Sequence, residues 1–267
     1  GVPYLVDYKY IGKQKEFRRK VPWMDDDASG FGDSYGNYET TVIAGNTFDY
    51  PSVHGEAILK AGYSFTSCSD EVVENKTVSL NDYKTVDLIL GKECQTKMGR
   101  GGVKPLEFKT FTNEMQAEIT DYCKKGGNFF VSGAYVASDL WDSHLISPSE
   151  KDIKFATDVL KYKWRVGQAA TEGKVKAVDS VFPMFKGDYQ YFNKLNSESY
   201  VVESPDAIEP VDANEFTIFR YSENNLSAGV AFKGDYKTCV LGFPFESIKT
   251  TEARENLMKS VLEFLEK

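Results

Sequence analysis

Gly126-Gly127-Asn128-Phe129-Phe130-Val131-Ser132-Gly133 is the stretch that decides the fold. Phe129, Phe130 and Val131 make a short unbroken apolar run between a Gly pair and a Ser-Gly exit, which predicts a strand buried on both faces. Just upstream, Thr112 caps a helix that carries Met115, Ile119 and Tyr122 on one stripe. Before that helix, Val86-Asp87-Leu88-Ile89-Leu90 followed by Gly91 reads as another strand. Strand, helix and strand at this spacing predict parallel pairing through a right-handed crossover.

The same grammar extends towards the start of the chain. Thr41-Val42-Ile43-Ala44-Gly45 is a β-branched run ending in Gly, expected as the first buried strand. Pro51 opens a helix that closes at Gly62, and Tyr63 to Cys68 is expected as the second strand. Residues 92–110 read as a long Gly- and Lys-rich loop, and a helix is expected over about 150–162. Beyond it, Phe216–Tyr221, Leu226–Lys233 and Tyr236–Gly242 are joined by short turns at Asn224-Asn225 and Gly234-Asp235, the pattern of an antiparallel meander. A last helix from about Thr251 buries Leu257, Val261, Phe264 and Leu265. The expectation is an α/β fold: a mostly parallel, flavodoxin-like sheet flanked by helices, with a C-terminal antiparallel meander. Residues 1–40 form an extension packed on a main domain of 41–267.

Composition narrows the function. A net charge of −8 disfavours a general nucleic-acid or anionic-membrane partner. Two basic groups stand out, Lys9, Lys13, Lys15, Arg18, Arg19 and Lys20, then Lys92, Lys97, Arg100, Lys104 and Lys109. They are read as solvated surface charge or as a patch for an anionic glycan. Aromatic residues at 14% are abundant, as in extracellular carbohydrate-handling proteins. Cys68, Cys94, Cys123 and Cys239 lack metal-ligand spacing, and no run of eighteen apolar residues spans a membrane. Asp25-Asp26-Asp27-Ala28-Ser29-Gly30 invites a calcium loop, but the twelfth position is Gly36 where a Glu is needed. No metal or other cofactor is expected. The chain opens Gly1-Val2-Pro3 without Met, which reads as a piece cut from a longer protein.

Ligands of open parallel sheets bind where strands end. Three segments leave strands on that edge and supply the candidate ligand-binding residues: Asn46, Asp49, Tyr50 and His54; Ala134, Tyr135 and Asp139; Phe243 and Glu246. His54, Ser132, Tyr135 and Glu246 are the catalytic candidates. His54 is read either as a base or ligand contact or as a hydrogen-bonded packing histidine. His144 is expected at the surface. Tyr135 is read as a phenolic acid or base, a stacking platform for a sugar ring, or a structural aromatic. Asp139 and Glu246 are read as an acid/base pair or as backbone-bonding carboxylates.

The strand and turn at 128–140, with Gly242-Phe243-Pro244-Phe245-Glu246 before the last helix, resemble a class I glutamine amidotransferase domain. That family places a cysteine in a Gly-x-Cys-x-Gly turn and a His-x-Glu pair after a late strand, so that imidazole and carboxylate activate the thiolate. Here the turn is Ser132-Gly133-Ala134-Tyr135-Val136, with Ala134 at the nucleophile position. The late pair is Pro244-Phe245-Glu246, which keeps the carboxylate and lacks the imidazole. The resemblance therefore implies the fold without the amidotransferase reaction. Val42 to Pro51, Phe129 to Tyr135 and Gly242 to Glu246 also resemble bacterial surface or secreted proteins called putative xanthan lyases. That likeness implies an acidic polysaccharide or other domains of a longer parent protein as partners, and a secreted or cell-surface location. A non-catalytic binding domain is the first expectation and a polysaccharide lyase working by β-elimination the second.

Overall fold

The computed structural model describes residues 50–93, 96–98, 106–141, 148–194, 199–203 and 205–267, with the backbone alone over 96–98 and 106–108. The expected strand 41–45, the extension 1–40, the Asp25–Gly30 segment and the first basic group lie outside the described residues.

Helix α1 spans Tyr50–Lys60, with Pro51 fixing the backbone of its first turn and Gly62 turning the chain at φ +93°. A short helix α2 (Asp70–Glu74) leads to strand β1 (Thr85–Gly91). Strands β2 (Thr96–Met98) and β3 (Leu106–Phe108) then pair antiparallel, so the expected loop 92–110 contains a small ladder. Helix α3 (Asn113–Lys124) starts where Thr112 Oγ1 accepts from Met115 N at 3.1 Å, and it buries Met115, Ile119 and Tyr122. Strand β4 (Asn128–Gly133) is buried at every position. Helices α4 (Ser138–Trp141) and α5 (Glu150–Lys154) follow, and α5 continues as a π-helical turn over Phe155–Leu160. Strands β5 (Tyr162–Val166), β6 (Lys174–Ala177), β7 (Asp188–Gln190), β8 (Ala207–Pro210), β9 (Glu215–Tyr221), β10 (Ser227–Lys233) and β11 (Lys237–Leu241) come next. Helix α6 (Thr251–Glu266) ends the chain, capped where Thr250 Oγ1 accepts from Ala253 N.

Seven strands form one sheet in the order β1-β4-β11-β10-β9-β6-β7. Only β1–β4 and β4–β11 are parallel; the other four pairs are antiparallel. This corrects the expectation of a mostly parallel, flavodoxin-like sheet. The tight turn at Gly234-Asp235 and the one with Asn225 at φ +64° can join only antiparallel neighbours. The meander they build supplies three of the seven strands of the same sheet, and β6 and β7 extend it further. The expected strand 63–68 does not form. Tyr63 N bonds back to Ile58 O, and Thr66 and Cys68 are exposed, so the segment is a surface connection.

Alternation along β4 divides the core. Phe130 faces α1 and α6 together with Phe219, Phe245 and Leu257. Phe129 and Val131 face α3 together with Met115, Ile119 and Leu140. Burying a Phe in this way contributes roughly 1.5–3 kcal/mol relative to exposure.

Candidate functional site

Helix α1 lies on the sheet beside α6 and points His54 at β1 and at the chain leaving β11. The imidazole is 1% exposed. Its Nδ1 is 2.7 Å from Asp87 Oδ2 and its Nε2 is 3.2 Å from Glu246 Oε2. Tyr200 donates its hydroxyl to the other oxygen of Glu246 at 2.6 Å. The edge of the ring meets Phe245 with centroids 4.5 Å apart. Burial, the largest single influence, pushes the imidazole down. The charge and hydrogen bond of Asp87, joined by those of Glu246, outweigh it and hold His54 up at about 9. At neutral pH the ring is therefore an imidazolium donating from both nitrogens.

The surroundings suit this cluster. Gly91 sits at φ +54° at the end of β1, where an added Cβ would come within 3.2 Å of Glu246 Oε1 and 3.5 Å of the Tyr200 hydroxyl. The absence of a side chain lets both groups approach the strand end. Tyr50 meets Tyr200 edge-on at 5.4 Å. Next along the chain, buried Lys92 pairs with Glu203 at 2.9 Å, its Nζ 5.9 Å from the Tyr200 ring centre. Asp87 Oδ1 is buried without a hydrogen-bond partner, so that carboxylate is only partly satisfied.

The arrangement brings together three of the residues expected from sequence: Tyr50, His54 and Glu246. It separates the others. Ser132 is fully buried and accepts from Phe245 N at 3.3 Å, tying the exits of β4 and β11. Ala134 donates its N–H to Gly91 O at 2.8 Å. Tyr135 is 6% exposed and its carbonyl accepts from Asp139 N. The Asp139 side chain bonds the hydroxyl of Thr110, so it does not pair with Glu246. Phe243 stacks on Tyr191 at 5.6 Å inside the core. Asn46, Asp49 and His144 lie outside the described residues.

Asp87, Tyr200, Lys92 and Glu203 were not singled out from sequence as members of the site. Asp87 carried a usable signal, because it is the one charged residue inside the apolar run Val86–Leu90. Tyr200 carried none. Chemically, the cluster ties helix α1 to β1 and to the chain leaving β11. A base must offer a lone pair and a nucleophile must meet its substrate, whereas both nitrogens here are committed and enclosed. Among the described residues no three His, Cys, Asp or Glu side chains are placed to hold a metal ion, and no helix is long and apolar enough to cross a membrane.

No family model matches the chain, and no curated protein matches it. Among solved structures it is similar to a β-galactosidase from Rahnella sp. R3, at TM-score 0.49 and 11% identity over 80% of this chain. It is also similar to the exo-β-1,4-mannosidase Op5Man5 from Opitutaceae bacterium strain TAV5, at TM-score 0.39 and 10% identity over 70% of this chain. Both neighbours are glycosidases. The chain spans about a quarter of either structure, 26% in each case.

Proposed function

We propose that this chain is a non-catalytic domain of a bacterial surface or secreted protein associated with polysaccharide, and that it binds a glycan or a partner domain. The observation that carries the reading is the state of His54. Its two nitrogens are spent on Asp87 and Glu246. The lyase reading needs an accessible base, and its two candidates, Tyr135 and His54, are 6% and 1% exposed. The abundance of aromatic residues supports the link to carbohydrate.

Two assays test the proposal together. Incubation with xanthan and related uronate polysaccharides, followed by ultraviolet absorbance of unsaturated uronate ends, is expected to give a flat trace. Electrophoresis through gels containing soluble polysaccharides is expected to show retarded migration in at least one of them. An absorbance rise that Tyr135→Phe removes would overturn the proposal in favour of a lyase.

A further inference from the structure

We draw no further inference here: the strongest candidate, the buried side-chain cluster of His54, Asp87, Glu246 and Tyr200 where α1 meets the end of β1 and the chain leaving β11, belongs to the site already described.

Discussion

Alkaline titration should loosen the fold through one imidazole. His54 has a pKa of about 9 in the folded protein, against an ordinary 6.5 once the chain unfolds. A raised pKa means that folding favours the protonated ring, so its stabilisation is fully present below about pH 6.5 and is lost as pH climbs through 9. The difference of about 2.5 units, at 1.36 kcal/mol each, corresponds to roughly 3 kcal/mol. For a chain of this size that is a fall of about 6–12 °C in Tm between pH 6.5 and 9.5. Urea melts followed by tryptophan fluorescence would read it directly, with His54→Gln as the control that cannot titrate. The chain has two histidines, so the proton spectrum holds two imidazole C2–H signals, and the one missing from His54→Gln is the one to follow. A midpoint near 6.5 for that signal, or equal pH dependence in wild type and His54→Gln, would refute the imidazolium clamp.

Two further outcomes follow from neighbouring groups. Glu246→Gln removes the charge that faces the imidazolium while keeping the size of the side chain. It should cost about 3–5 kcal/mol in chemical denaturation and move the His54 midpoint below 9; an unchanged midpoint would mean that Asp87 alone holds the ring. Cys68 is exposed, whereas burial pushes Cys123 up to about 12 and raises Cys239 further. In a Cys94→Ser background a thiol reagent should therefore label one cysteine in the native protein and three in urea, and a second fast-reacting native thiol would contradict this core.

What the sequence disclosed follows the range of each interaction. The runs at 86–91 and 128–133, the helix after Thr112 and the helix after Thr250 were legible because periodicity and capping act within a few residues. The hairpin turns near Asn225 and Gly234 were legible for the same reason. Whether the meander stood apart or joined the strand at 128–133 was not, because that depends on pairing Thr238 with Phe129 across the chain. Tyr63–Cys68 has strand-like residues, yet its position at the surface leaves those side chains little to bury against. The site divides in the same way. Tyr50, His54 and Glu246 were accessible as residues near strand ends. Their partnership spans 192 positions between His54 and Glu246, and no local pattern encodes that.

The place of β11 in the sheet also bears on how the chain reaches its native state. That strand is the last of the seven to be synthesised yet sits inside the sheet, parallel to β4 on one side and antiparallel to β10 on the other. Until Lys237–Leu241 has emerged, β4 has an open edge and the charged side chains of Asp87 and His54 lack Glu246. Contacts between such distant segments slow closure and expose unpaired strands meanwhile. A nascent chain halted before β11 would be a sheet in two pieces, a target for chaperones rather than a smaller stable protein.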